Sequence, residues 1–378
     1  MTFLLLIITK YYFQRSPFKT KRALVILSIA SMVWLHRCYL EGDTQEILGR
    51  LKRAFPDEHF YPEILYIGGR ITNEHGSDPL PEPNHTLLYK TFGDTYTCNT
   101  ILFGLPGDFG QAETRQNLQA GKLYLDVYLP DVPDSTKSII LMVHGGGWDK
   151  GDKSMFRANY YGGLPRRLLE RGHVLVGASY RLGCNITVSV EHMLEDLRDV
   201  VEFISTNGEH WGGNSDSIVA WGTSAGGHLS LLLGNVQPVP RQLKGIMAFY
   251  APAELRETHL LELVDDSVFA TFHSRVFLNA TKKIFPDSLS REKFSPTSLI
   301  TSQSPPTFPL HGVHDALVLI EHSYALEASM IKHNVKHVFL PVAGNHDCDT
   351  FVSSICGQTA MVTADLFLKN MVQEVEIN

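Results

Sequence analysis

From about residue 122 onward, the hydrophobic pattern alternates between two periods. Leu123-Tyr-Leu-Asp-Val-Tyr-Leu-Pro130 alternates apolar with polar positions and stops at a proline, as a strand does. Ser138–Val143 is apolar throughout, the pattern of a strand covered on both faces. Leu164–Glu170 has helical spacing, and His173–Ser179 predicts another buried strand. Val188–Ser205 places Met193, Leu197, Val200, Val201 and Ile204 on one helical face. A short β-branched run, Ile218–Trp221, leads into a glycine-rich turn and then a helical pattern through Leu229, Leu231, Leu232 and Leu233. Lys244–Tyr250, Thr307–Leu310 and His337–Leu340 are predicted strands, with helices over Ile320–Lys332 and Phe351–Met371. Strands alternating with helical runs predict an α/β fold whose mostly parallel central sheet carries helices on both faces. Over residues 251–301 the alternation lapses into mixed polar and aromatic sequence, where a lid-like insert is expected.

The chain before residue 121 is different. Residues 41–120 are rich in Pro, Gly and Asn and show only short periodic pieces such as Thr44–Ala54. They read as an irregular region able to fold over the site. Residues 1–40 hold a greasy run, Phe3–Ile8, then Lys10, Arg15, Lys19, Lys21 and Arg22, then an uncharged stretch, Ala23–Leu35. That stretch has about 13 residues, short of the roughly 20 that span a bilayer, and suits the apolar region of a secretory signal. No small-x-small cleavage site follows, because His36, Arg37 and Cys38 come next. A signal-anchor extended through Leu40 is expected, attaching the protein to a membrane with the body facing the lumen or exterior; the alternative is a cleaved signal peptide.

Composition adds to this picture. With 378 residues, 44% hydrophobic and 19% charged, the chain can bury one large core over residues 121–378 behind an N-terminal appendage. A net charge of -7 without a long basic run argues against nucleic acid as partner. Three N-x-S/T sequons, at Asn84, Asn185 and Asn279, agree with a secretory route. The five cysteines are too irregularly spaced for a disulfide framework. If the body is extracytosolic, Cys348 with Cys356 is the expected local bridge and Cys98 with Cys184 a second; two buried free thiols are an equal alternative.

The chemistry gathers at the turn after Trp221. Gly222-Thr-Ser-Ala-Gly226 between a strand and a helix is a nucleophile elbow, in which a strained central residue holds Ser224 Oγ at the end of the sheet. The amide of Ala225 then lies at a helix N-terminus, suited to a developing oxyanion. Further donors follow the buried strand ending at Val143. In His144-Gly-Gly-Gly-Trp148 the glycines let the backbone approach a substrate and turn the amides of Gly145 and Gly146 towards it. His144 itself reads as a structural loop residue.

Asp315 lies in the loop after the strand ending at Leu310, where a carboxylate can orient an imidazole. His346 lies in a Gly-containing loop after the next strand. The chain order Ser224, Asp315, His346 is the order this architecture requires. Among 17 histidines, position singles out His346, while His311, His314 and His228 read as loop, capping or packing residues. The cluster His346-Asp-Cys-Asp349 has no second ligand group at a suitable spacing, so no metal is expected. Trp148, with Phe269, Phe272 and Phe277 of the insert, either lines an acyl or alcohol pocket or belongs to the core.

Several pieces match one family together: Leu125-Asp-Val-Tyr-Leu-Pro130, HGGGW, Ser179-Tyr-Arg-Leu182, Gly222-Thr-Ser-Ala-Gly-Gly-His-Leu229, HGVHDALV and GNHD. From about Leu123 to the C-terminus the chain resembles the α/β-hydrolase superfamily, within it the esterase/lipase group with an HGGG oxyanion loop. It looks more like the carboxylesterase, kynurenine-formamidase and isoprenylcysteine-methylesterase branch than the hormone-sensitive-lipase branch, where Asn is usual at the position of His228. The resemblance implies nucleophile Ser224, acid Asp315, base His346 and oxyanion amides at Gly145, Gly146 and Ala225. It departs from minimal members in its long N-terminal region and in having His314 just before the acid.

The expected activity is hydrolysis of a small-molecule carboxylic ester through an acyl-enzyme, with no cofactor. An arylformamidase-type amide hydrolase and a non-catalytic binding protein of the same fold are the alternatives. A prolyl-type peptidase needs a preceding propeller, which about 120 residues cannot build. Lipase and small-ester esterase differ in lid and pocket shape, which sequence does not separate.

Overall fold

One sheet of eight strands runs in the order β1-β2-β4-β3-β5-β6-β7-β8. The strands are β1 His85–Thr91, β2 Lys122–Tyr128, β3 Ser138–Val143, β4 Val174–Ala178, β5 Asn214–Thr223, β6 Gly245–Phe249, β7 Thr307–Gly312 and β8 Leu340–Val342. β1 and β2 are antiparallel to each other, β2 is antiparallel to β4, and every pairing from β4 through β8 is parallel. The computed structural model describes residues 45–58, 80–93, 116–157, 163–184, 187–237, 241–256, 281–350, 352 and 354–372. By contacts the chain divides into residues 1–49 and 50–378, and the sheet belongs to the second unit.

The apolar runs explain the architecture. β3, β4, β6 and β7 are buried at every position, as strands sandwiched between helices must be. The helix Val190–Asn207 buries Met193, Leu197, Val200, Val201 and Ile204, the predicted face. The helix Ala225–Asn235 is buried along its whole length, which its leucine-rich sequence allows. Parallel strands bring their carboxyl ends to one edge, so the loops after β3, β5, β6, β7 and β8 converge there. Open α/β sheets carry their ligand sites at that edge.

Some expectations are corrected. Residues 41–120 are not wholly irregular: a helix runs over residues 45–54, and β1 adds an edge strand to the main sheet. β1 (His-Thr-Leu-Leu-Tyr-Lys-Thr) is only partly covered, so it needs no continuous apolar run and shows none. Tyr89 from this strand donates to Ser179 O at 2.7 Å. β8 lies at Leu340–Val342 rather than His337–Leu340, and His337 contributes only an isolated bridge to Thr307. Pro341 sits inside β8, and the sheet edge tolerates its missing N–H. The last helix begins at Ile355, after Ser354 Oγ accepts the Gly357 amide at 2.9 Å, and continues through a π-helical turn, Leu368–Val372.

Cys348 and Cys356 are disulfide-bonded, as expected. Cys184 is also disulfide-bonded, and Cys98 lies outside the described residues. The flanks of the expected insert form short helices, Ser288–Lys293 and Pro296–Leu299. Residues 257–280, with Phe269, Phe272, Phe277 and the Asn279 sequon, lie outside the described residues, as do Asn185 and the whole of residues 1–40. No helix of the described residues is long and apolar enough to cross a membrane.

Candidate active site

Ser224 stands between β5 and the helix Ala225–Asn235 with φ 53° and ψ -123°, a strained backbone for a residue with a side chain. Two glycines make the turn possible. A Cβ on Gly222 would strike the carbonyl of Gly226, and one on Gly226 would strike the carbonyls of Val143 and His144. The main chain of the turn is anchored, with Ser224 N–H donating to Phe249 O at 2.9 Å and accepting His228 N–H at its carbonyl. Ser224 is only partly buried, between the fully buried Thr223 and Ala225. Its Oγ makes no hydrogen bond among the described residues, to His346 or to any other group.

The loop after β3 curls back over this turn. Gly146, Gly147 and Trp148 have φ of 107°, 60° and 62°, a run of left-handed residues that two glycines make affordable. A Cβ on Gly145 would lie 3.3 Å from Ser224 Cβ, so the loop backbone passes directly beside the serine. Among the described residues the amides of Gly145, Gly146 and Ala225 have no hydrogen-bond acceptor. His144 is fully buried, stacks on Tyr180 with ring centroids 4.2 Å apart, and burial lowers its imidazole to about 4. Tyr180 Oη donates to His144 O at 2.9 Å, so the Ser179-Tyr-Arg-Leu182 segment braces the glycine loop. Arg181 in the same segment is held by the buried Asp196, with Nη2 2.7 Å from Oδ1.

Asp315 and His346 meet as the sequence predicts. His346 Nδ1 lies 2.6 Å from Asp315 Oδ2. Asp315 Oδ1 accepts the amides of Leu317 at 2.8 Å and Val318 at 2.9 Å, so the carboxylate is held on both oxygens. Burial alone would keep Asp315 protonated, but the His346 charge and hydrogen bonds from His311 and His346 hold its carboxyl well below the usual range. Burial also opposes an imidazolium at His346, yet the fields of Asp315 and Asp347, the Asp315 hydrogen bond and the field of Asp349 lift it to about 9. The acid and base loops are knit together, His314 N–H donating to Gly344 O at 2.9 Å and Val313 N–H to Val342 O at 2.8 Å.

Trp148 is placed differently from the expected substrate-lining role. It is fully buried, lies edge-on to Phe285, and donates its indole N–H to His228 Nδ1 at 3.2 Å. It supports the glycine loop from beneath and offers no surface to a ligand.

Sequence reasoning missed three residues at the site. His311, set aside as a loop or packing residue, is fully buried in β7, with Nε2 3.1 Å from Asp315 Oδ2 and 2.8 Å from Val318 O. Both partners are acceptors, so Nε2 carries a proton, and Ser323 Oγ lies 2.7 Å from Nδ1. Its four-residue offset from Asp315 across a strand end was the available signal. Tyr250 packs its ring against His346, centroids 4.7 Å apart, and Asp349 accepts from Tyr250 Oη at 3.0 Å. Those contacts cross about a quarter of the chain and leave no local trace.

Comparison with known proteins gives the family and the fold. The family model described as BD-FAE matches residues 125–330, more than half of the chain. A protein of Oryza sativa subsp. japonica, named "Probable isoprenylcysteine alpha-carbonyl methylesterase", is 25% identical over 282 residues, covering 70% of this chain and 60% of the relative. Esterase LipC of Mycobacterium tuberculosis is 26% identical over 262 residues, covering 65% of this chain and 62% of the relative. The chain thus spans about 60% of the length of these curated relatives. A propionate-bound thermophilic esterase of Thermogutta terrifontis superposes with a TM-score of 0.54 at 23% identity, over 69% of this chain and 94% of the other. A carbohydrate esterase from gut microbiota gives 0.51 at 19% identity, over 64% and 90%. At these identities the structural likeness establishes the α/β-hydrolase fold.

Proposed function

Since the chain belongs to the BD-FAE family, we propose that it is a serine hydrolase cleaving carboxylic esters through an acyl-enzyme. The observation that carries this reading is the 2.6 Å contact between Asp315 and His346, formed at the sheet edge where the strained Ser224 presents a hydroxyl with no hydrogen-bond partner among the described residues. Asp315 holds Nδ1 of the imidazole, which leaves Nε2 to take the proton of Ser224 Oγ as the oxygen attacks the ester carbonyl. The oxyanion that forms is received by the N–H groups of Gly145, Gly146 and Ala225, which have no acceptor to give up among the described residues. The imidazolium then protonates the leaving alcohol, and water, deprotonated by the same imidazole, resolves the acyl-enzyme. The serine–histidine hydrogen bond of such sites tightens when substrate is bound, in keeping with its absence between Ser224 and His346.

The test is direct. The purified protein should hydrolyse p-nitrophenyl acetate or butyrate, become labelled at Ser224 by a fluorophosphonate, and lose both properties in Ser224→Ala. A label on another residue, or unchanged turnover in the alanine variant, would reject the assignment. A panel of graded acyl esters, N-formylkynurenine and prenylcysteine methyl ester then assigns the substrate class. The last is chosen because a relative's name contains isoprenylcysteine methylesterase.

For the route the chain takes, we infer entry into the secretory pathway through residues 1–40. Support comes from the greasy run behind a basic cluster, and from disulfide bonding at Cys348, Cys356 and Cys184, which oxidising compartments sustain. The Asn84 sequon lies at an exposed position. Enzymatic deglycosylation should shift the migration of the cellular protein, and a protein that does not shift and stays fully reduced would overturn this route.

A further inference from the structure

Beside His346 lies a second buried acid that the proposed mechanism does not use. Asp349 follows His346 by three residues and is 2% exposed. Its Oδ1 accepts from Tyr250 Oη at 3.0 Å, and its Oδ2 has no hydrogen-bond partner among the described residues. A half-satisfied carboxyl in a dry site is costly, and such groups call for an explanation. The disulfide between Cys348 and Cys356 closes the short loop in which Asp349 sits.

Tyr250 links this acid to the rest of the site. Its ring meets the imidazole of His346 at 61°, with centroids 4.7 Å apart. Its backbone is held at φ 39°, outside the usual range for a bulky side chain, and its N–H donates to Leu310 O at 2.6 Å. The residue before it, Phe249, accepts the Ser224 amide. One side chain therefore touches the base loop while its backbone is fastened to the strand leading to the acid and adjoins the nucleophile turn.

We propose that Tyr250 and Asp349 are positioning residues for His346. The phenol ring fixes the plane of the imidazole, and the carboxylate, oriented by the phenol hydroxyl, adds a further negative field to those of Asp315 and Asp347. This rests on His346 being the base. The charged and titratable groups around Asp349 are His346 and Asp347 on its own loop and Tyr250 from the end of β6, with Asp315 reaching the same imidazole through Nδ1. The following helix, Ile355–Phe367, carries one charged side chain, Asp365, which is paired with Arg167 at 2.9 Å. Burial and the field of Asp347 raise the Asp349 carboxyl, against the Tyr250 hydrogen bond and His346, to about 7. It therefore gains its charge across the neutral range. An ionised Asp349 favours the imidazolium, so removing that charge makes His346 give up its proton at a lower pH. Removing the phenol hydroxyl raises the Asp349 carboxyl further and acts in the same direction.

The experiment uses the full chain. The pH dependence of kcat/KM for p-nitrophenyl butyrate is measured over roughly pH 5 to 10 for the wild type, Asp349→Asn and Tyr250→Phe. The acid limb is expected to move down by about half a unit in Asp349→Asn, about threefold in kcat/KM on that limb, with KM little changed. Tyr250→Phe is expected to move it the same way by less. An acid limb that stays at the wild-type pH or moves up, in either variant with a native circular dichroism spectrum, overturns the pair. If Asp349→Asn does not fold, Tyr250→Phe, which keeps the ring, decides alone. Fluorophosphonate labelling of Ser224 in the wild type separates the two ideas. Absent labelling strikes the hydrolase reading itself, whereas intact labelling with an unmoved limb strikes only the Tyr250–Asp349 pair.

Discussion

The indole N–H of Trp148 donates to Nδ1 of His228 at 3.2 Å, joining the glycine loop after β3 to the helix that begins beside Ser224. Nε2 of the same imidazole lies 2.9 Å from Phe294 O and must donate there, so His228 is neutral with its proton on Nε2. Burial, which lowers this imidazole to about 4, keeps it so throughout the working range. The two segments that would cradle a developing oxyanion are thus fastened by a buried hydrogen bond.

Trp148→Phe tests that fastening. The ring contact with Phe285 is largely kept, while His228 Nδ1 is left buried without a donor. Such a loss costs about 1–3 kcal/mol, to be read as a lower urea midpoint. A loosened glycine loop should lower kcat for p-nitrophenyl butyrate more than it raises KM.

The raised His346 sets the shape of the pH–rate profile. With its imidazole near 9, the acid limb of kcat/KM should lie well above the ordinary imidazole value of about 6.5. Asp315→Asn removes the largest of the fields that hold the proton on, so the limb should fall towards or below 6.5. The rate at the plateau should drop by roughly 10⁴, because the imidazole is no longer held in the tautomer that accepts the serine proton.

The same pair makes stability depend on pH. Asp315 is depressed, so its contribution is present above the unfolded value of about 3.9 and is lost as pH falls through its lower folded value. His346 is raised, so its contribution is complete below about 6.5 and is lost as pH rises through about 9. The difference in urea midpoint between wild type and Asp315→Asn should therefore be largest between about pH 4 and 6.5 and shrink towards pH 9. A difference that grows with pH across that range would contradict the pairing.

Substitution of Gly146 or Gly226 should cost stability, and at Gly146 activity as well. Gly226→Ala places a methyl group into the carbonyls of Val143 and His144 at the crossing of sheet and helix, and is expected to destabilise the fold by about 1–3 kcal/mol or more. Gly146→Ala meets the Lys150 carbonyl in a partly exposed loop at φ 107°. It should also lower the thermal midpoint, because the left-handed backbone and the Lys150 carbonyl leave no room for a methyl group, and should cut kcat by up to roughly 10²–10³ if the displaced loop loses an oxyanion donor.

The parts of this site that were legible in advance share one property: each is a local solution to a local problem. A tight strand-to-helix turn needs small residues around Ser224, and a backbone that must curl beside it needs the glycines at 145–147. Asp315 and His346 were found because the strand pattern placed each in a loop at the same sheet edge. Where a strand is an edge element, as in β1, the demand for apolar residues relaxes and the signal fades. β8 drifted for the same reason, three residues with a proline inside.

By itself the sequence determined the period of each buried run, hence the alternating layers, and the residue types able to form a nucleophile turn, a donor loop, an acid and a base in that order. The tertiary structure decided which groups share a boundary. It buried Trp148 beneath the loop instead of exposing it, put His311 on the carboxylate of Asp315, and brought Tyr250 and Asp349 to His346. Those contacts join segments far apart along the chain, and their energies come from burial and proximity, which no stretch of sequence carries until the strands have paired.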